Sequence, residues 1–228
     1  MPAKNRIKVY IENGHYHVYN RGIEKRDIFL DDQDYRVFLH FLKFYLSPPK
    51  TNFTHPLGEI TGFKPTRIRD FSSSLSQELQ LLAYCLMPNH FHLLLTQKTS
   101  NGMTKLLRRL LTNYAMYFNR KYKRNGYLFQ GNYKAVLVLE EPYLLHLSRY
   151  LHLNPAELTG TDPVNWPYSS YPYYLGKKKA IWINPEPILS FFKTARRTSL
   201  KDILSYQSFI EDYQEDPREM LGNLIIEG

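Results

Sequence analysis

Cysteine is nearly missing from this 228-residue chain. Cys85 is the single copy, which excludes an internal disulfide and leaves it the role of a small buried hydrophobe in an apolar stretch. Long hydrophobic runs are missing too: none approaches the roughly 20 residues that span a bilayer. The start, Met1-Pro2-Ala3-Lys4-Asn5-Arg6, leads into no apolar signal region, so a cytoplasmic globular protein is expected. Acidic residues are in short supply, 21 Asp and Glu against 30 Lys and Arg, for a formal charge of +9. That excess supplies phosphate affinity. What the chain has in quantity is aromatic, with 19 Tyr and 13 Phe, and exposed rings offer stacking surfaces to unpaired bases. The balance leans toward single-stranded nucleic acid. A hydrophobic content of 43% is enough for the core of one large domain, or of one domain with an appendage.

Periodicity orders the elements. A first strand is expected over Tyr16-His17-Val18-Tyr19-Asn20, stopping at Arg21-Gly22. A helix follows from Asp31 or Asp32 to about Tyr45, with Tyr35, Phe38, Leu39, Leu42 and Tyr45 at helical spacing. Pro48 and Pro49 end it, and 47–77 reads as a long Ser-, Thr-, Pro- and Gly-rich insertion. Leu79 to Met87 and His90 to Thr96 are expected to be adjacent strands turned by Pro88-Asn89. A basic helix from about Thr104 to Tyr122 comes next, then a strand from Tyr133 to Leu139, then a helix from Glu140 to about Asn154. Strand, helix, strand, strand, helix, strand, helix implies an α+β, ferredoxin-like sandwich: an antiparallel sheet with helices on one face. Residues 1–157 would form that domain. Residues 158–228, with short helical patterns around Pro187 to Phe192 and Ser199 to Tyr213, would form a C-terminal extension packed on it.

Leu86-Met87-Pro88-Asn89-His90-Phe91-His92-Leu93-Leu94-Leu95 carries the first chemical signal. Alternation along a strand puts His90 and His92 on one face, close enough to share an ion, with Phe91 turned the other way. Taken alone, the pattern fits two satisfied core histidines equally well. Tyr150 and Asn154 stand four apart at a helix end and share a side of it. Two imidazoles and an amide oxygen leave an octahedral ion positions for phosphate oxygens and water, the arrangement needed by a tyrosine attacking a metal-bound phosphodiester. Tyr114 and Tyr117 compete as nucleophiles, although Tyr114 continues an apolar stripe. His152 lies on a different helix face from Tyr150 and reads as structural or as a support to the site. For DNA backbone contact the candidates are Arg108, Arg109, Arg120 and Lys121 from the basic helix, with Lys134 and Arg21; Asn20 and Arg21 could also touch bases.

Three ordered motifs carry a resemblance: Met87-Pro88-Asn89-His90-Phe91-His92, then Tyr150-Leu151-His152-Leu153-Asn154-Pro155, then Trp166-Pro167-Tyr168-Ser169-Ser170-Tyr171. Together they resemble the single-tyrosine HUH transposases, in particular the REP-associated (IS200-like) tyrosine transposases. Tyr19-Asn20-Arg21-Gly22 and Tyr127-Leu128-Phe129-Gln130-Gly131 look like the longer members of that branch. The resemblance implies a nuclease domain in which His90, His92 and Asn154 bind Mg²⁺ or Mn²⁺. It implies that Tyr150 forms a 5′-phosphotyrosine link to single-stranded DNA beside a hairpin, and that strands can be rejoined. A binding-only regulator, a rolling-circle initiator or relaxase, and a zinc hydrolase are the competing classes. A monomer is expected, with the tail after Glu157 capping the surface a dimer would use. Because neutral imidazoles must bind the ion, activity is expected to fall below roughly pH 6.

Overall fold

The computed structural model describes residues 10–49, 74–158, 161–194 and 205–211; most of the expected insertion, 50–73, and the cap signal at Ser199 and Asp202 lie outside them. Four strands, β1 (Gly14–Arg21), β2 (Leu79–Met87), β3 (His90–Gln97) and β4 (Lys134–Val138), form one sheet in the order β2-β3-β1-β4. All neighbours run antiparallel. With α1 (Asp32–Leu46) after β1 and α2 (Gly102–Lys121) after β3, this is the ferredoxin-like order expected from the sequence. α3 (Glu141–Leu153) follows β4. No helix among the described residues is long and apolar enough to cross a membrane.

Each helix starts where its sequence allows. Asp31 caps α1 by accepting from the Asp34 N–H, and Asp34 reaches back to accept from the Leu30 N–H, so two otherwise orphaned donors are satisfied. α3 opens with Glu141-Pro142, acid and proline in the first turn. Gly22 ends β1 where a Cβ would stand 2.0 Å from the Arg26 carbonyl oxygen, an approach only glycine permits. Just beyond it, the Ile28 and Phe29 N–H groups donate to the Pro88 carbonyl. The β2–β3 turn is thereby pinned to the segment after β1.

The expectation of helices on one face holds for α1 and α2 and fails for the rest. Phe91, Leu93 and Leu95 of β3 meet α1 and α2 in one buried cluster, whereas Leu94 meets Leu144, Leu147, Tyr150 and Leu151 of α3 in a second. β2 is apolar on both sides, and a sheet apolar on both sides requires two covers. A register shift between Leu81 and Ala83 marks a bulge. Leu79 and Leu81 face the first cluster before it, and Tyr84 and Leu86 after it, so the bulge changes the parity of the strand.

The second cover includes residues beyond 158. α4 (Tyr171–Tyr174), α5 (Glu186–Thr194) and α6 (Tyr206–Glu211) contribute Tyr171, Tyr174, Ile188, Tyr206 and Phe209 to the α3 cluster. Tyr168-Ser169-Ser170 pairs along the outer edge of β2, through Leu86 N–H to the Tyr168 carbonyl and Ser170 N–H to the Tyr84 carbonyl, which protects that edge from other strands.

On the opposite face, Asp34 ties α1 to α2. It is fully buried and accepts from the Tyr117 hydroxyl (2.9 Å), the Tyr122 hydroxyl (2.8 Å) and Lys121 Nζ (2.7 Å). Removing the acceptor while leaving its donors buried is costly. Asp34→Ala is expected to destabilise the fold by about 3 kcal/mol in urea unfolding, and a loss under about 1 kcal/mol would contradict this account.

Candidate active site

Period-two alternation places His90, His92 and Leu94 on the face that α3 covers. The His90 and His92 rings lie 4.8 Å apart, edge to face. α3 brings Tyr150 against them, its ring 5.4 Å from that of His92. Asn154, still in helical conformation at the end of α3, places Oδ1 3.3 Å from His90 Nε2. Tyr150 and Asn154 are both buried. The structure thus brings together the four residues that the two motifs singled out.

The hydrogen bonds around them fix which lone pairs remain. Asn89 Nδ2 donates to the Lys25 carbonyl at 3.2 Å, which turns Oδ1 toward His90 Nδ1 at 2.6 Å. Nδ1 therefore carries the proton of His90, and Nε2 presents a lone pair. That lone pair faces the Asn154 oxygen, while Asn154 Nδ2 is buried with no partner. Two acceptors facing each other across 3.3 Å are relieved either by turning the amide over or by a cation between them. His92 is similar: Nδ1 is 2.9 Å from His17 Nε2, and its own Nε2 is buried with no partner.

Burial pushes the His92 pKa well below 6.5, with His90 and His17 nearby acting in the same direction. Burial also takes His90 to about 4; its Asn154 contact acts upward and the Arg21 charge downward. Both rings are neutral at physiological pH, as ligands must be. Among the described residues no three His, Cys, Asp or Glu side chains form a metal-binding group; the Asn154 amide oxygen beside His90 Nε2 would be the third ligand. Two neutral nitrogens and one hard oxygen fit a divalent ion that keeps several positions for water and phosphate.

Neither competing tyrosine reaches this place. Tyr114 donates to the Ile28 carbonyl and Tyr117 to Asp34, both in the α1–α2 core. His152 is structural: its Nδ1 meets the Tyr206 hydroxyl at 2.7 Å and its Nε2 meets Ser170 Oγ at 2.6 Å. Burial holds its pKa at about 3.

The candidate DNA contacts divide. Arg21 pairs with His90 across β1 and β3 and hydrogen bonds Gln130 through its side chain. Lys134 stands over the Tyr19 ring on the site face, exposed. Arg108 and the 84% exposed Tyr127 line an open cavity of about 540 Å³ between α2 and the 126–133 segment. Arg120 is exposed, and Arg109 is half-buried. Two expectations are corrected. Lys121 is engaged by Asp31 and Asp34 in the α1–α2 joint. Asn20 is buried, its amide donating to the Gly131 carbonyl and accepting from the Arg21 N–H. Sequence patterns singled out neither Asn89 nor His17. The one available signal for His17 was a lone ring among apolar residues on a strand.

Residues 66–154 match the family model described as "Transposase IS200 like". No curated protein matches the chain. A REP-associated tyrosine transposase solved with a REP hairpin bound is similar in structure, with TM-score 0.52 at 12% identity over 78% of this chain and 93% of that one. At that identity the likeness concerns the fold, which the two share. A candidate transposase from Deinococcus radiodurans has TM-score 0.36 at 17% identity, over 64% of this chain and 93% of that one, too slight a likeness to bear on the fold.

Burial sets the protonation of both histidines below the ordinary histidine range from which the limit near pH 6 follows. Unfolded histidines take protons below about 6.5, whereas His90 in the fold resists until about 4. A divalent ion held by these rings would therefore meet proton competition at His90 only near pH 4. Below 6.5 the unfolded state binds more protons than the folded one, so stability should decline as pH falls from about 6.5 toward 4. Urea titrations at pH 7, 5.5 and 4.5 check this; equal stability at all three would contradict it.

Proposed function

We propose that this chain, whose residues 66–154 match the IS200-like transposase family model, is a metal-dependent single-stranded DNA endonuclease and strand transferase with Tyr150 as nucleophile. The observation that carries the reading is the Tyr150 ring 5.4 Å from His92, with the Asn154 oxygen on His90. All four groups come from one chain.

His90 Nε2, His92 Nε2 and Asn154 Oδ1 would hold Mg²⁺ or Mn²⁺. When bound, such an ion supplies charge stabilisation to the phosphodiester under attack, worth several kcal/mol in order of magnitude. Tyr150 attacks phosphorus. A bond forms between its oxygen and phosphorus, the bond to the 3′-oxygen breaks, and the phenol proton is balanced by the proton taken up by that 3′-oxygen. The product is a 5′-phosphotyrosine and a free 3′-hydroxyl, and reversal by another 3′-hydroxyl rejoins strands. Burial and the edge-on contacts of Tyr150 with His92 and His17 limit the freedom of its side chain and lower the entropic cost of attack.

DNA would enter between Arg21 and Lys134, whose charges flank the histidine face. The strand would continue past Gln130 into the cavity beside Arg108, where Tyr127 offers a ring for stacking. A hairpin next to the cleaved strand is the expected substrate feature, by analogy with the REP-bound relative.

The test is an end-labelled pool of hairpin-bearing single-stranded DNAs with Mn²⁺, resolved under denaturing conditions. A metal-dependent covalent protein–DNA band is expected, abolished in Tyr150→Phe and reduced at least 100-fold in His92→Ala. A band that persists in Tyr150→Phe contradicts the assigned nucleophile, and binding without any link across the pool favours the binding-only class.

A further inference from the structure

His17 sits in the middle of β1, fully buried, on the same face as His92 and Tyr150. Register explains its place. Tyr19 pairs with His92 and His17 with Leu94, so His17 is the diagonal neighbour of His92, one pleat along. Its ring lies beside that of His92, the planes 20° apart and the centroids 5.1 Å apart, and stands edge-on to Tyr150 at 6.4 Å. His17 Nε2 and His92 Nδ1 are 2.9 Å apart.

One hydrogen lies between these two nitrogens, and it can belong to either ring. If His17 supplies it, the His92 proton sits on Nε2, where no acceptor meets it. A buried N–H left without an acceptor is the rarer and costlier kind of orphan. If His92 supplies it, Nε2 keeps its lone pair and can bind a cation without first losing a proton. The orphaned Nε2 atom favours the second placement.

We propose that His17 is a positioning residue that accepts the Nδ1–H of His92, and so holds that ring in the tautomer whose Nε2 binds the divalent ion. This rests on the reading of His92 as a ligand. The outer nitrogen of a ligating histidine is usually held by a carboxylate, a carbonyl or water. An imidazole in that role orients the ring equally well but adds no negative charge. Asn89 does the same for His90 from its own side, so both ligand rings are fixed by neutral acceptors. The ion they hold keeps its positive charge largely undiminished for the phosphate.

Long-range ¹H–¹⁵N correlation on the metal-free protein reads histidine tautomers directly, and calorimetry with Mn²⁺ alone reads affinity. The wild type is expected to show His92 as the Nδ1–H tautomer. His17→Gln, whose side-chain oxygen can still accept, should keep that tautomer and bind Mn²⁺ within about threefold of the wild type. His17→Leu should mix the tautomers and weaken Mn²⁺ binding about 10- to 100-fold. If His17→Leu fails to fold, the wild-type tautomer and His17→Gln decide. An Nε2–H tautomer in the wild type overturns the inference, as does unchanged Mn²⁺ affinity in His17→Leu when His92→Ala abolishes binding. Mn²⁺ binding that survives His92→Ala overturns the metal reading, and this inference with it.

Discussion

The structure depends on β3 being buried on both faces. An antiparallel strand in the middle of a sheet has all its backbone groups paired, so its side chains can be apolar on either side as long as both sides are covered. α1 and α2 cover the side of Phe91, Leu93 and Leu95, and α3 with the helices after it covers the side of Leu94. That second cover determines the chemistry. His90 and His92 share a face with Leu94, and the helix that buries Leu94 brings Tyr150 and Asn154 to them.

The same burial sets the electrostatics. A pair of histidines in water would be half-charged near pH 6.5 and would repel a cation. Under α3, desolvation keeps both neutral to much lower pH. Fixed acceptors on their outer nitrogens, Asn89 and His17, leave the inner nitrogens with lone pairs. The positive charge that the proposed DNA contact would use is kept at the margin, on Arg21, Lys134 and Arg108.

Much of this was legible in the sequence, for identifiable reasons. The strands and the three long helices follow from local periodicity, and the four site residues come from spacings of two and four that define a face in any strand or helix. What was hidden depends on partners far along the chain. His17 meets His92 only through the β1–β3 register. Lys121 reads as a free surface cation until Asp31 and Asp34 close on it, and Asn20 reads as a base reader until Gly131 engages its amide. β2 is apolar on both sides and so calls for two covers, but which helices supply the second one is not written in any local pattern. The contribution of Tyr171, Tyr174, Ile188, Tyr206 and Phe209 to the α3 cluster likewise depends on contacts that no local signal specifies.

The most direct measurement is a crystal structure of the protein soaked in Mn²⁺, with the ion located by anomalous scattering. One site is predicted, with His90 Nε2, His92 Nε2 and Asn154 Oδ1 about 2.0–2.3 Å from the ion and Tyr150 adjacent to its open positions. An ion bound elsewhere, or bound here through Nδ1 of either ring, would contradict the account.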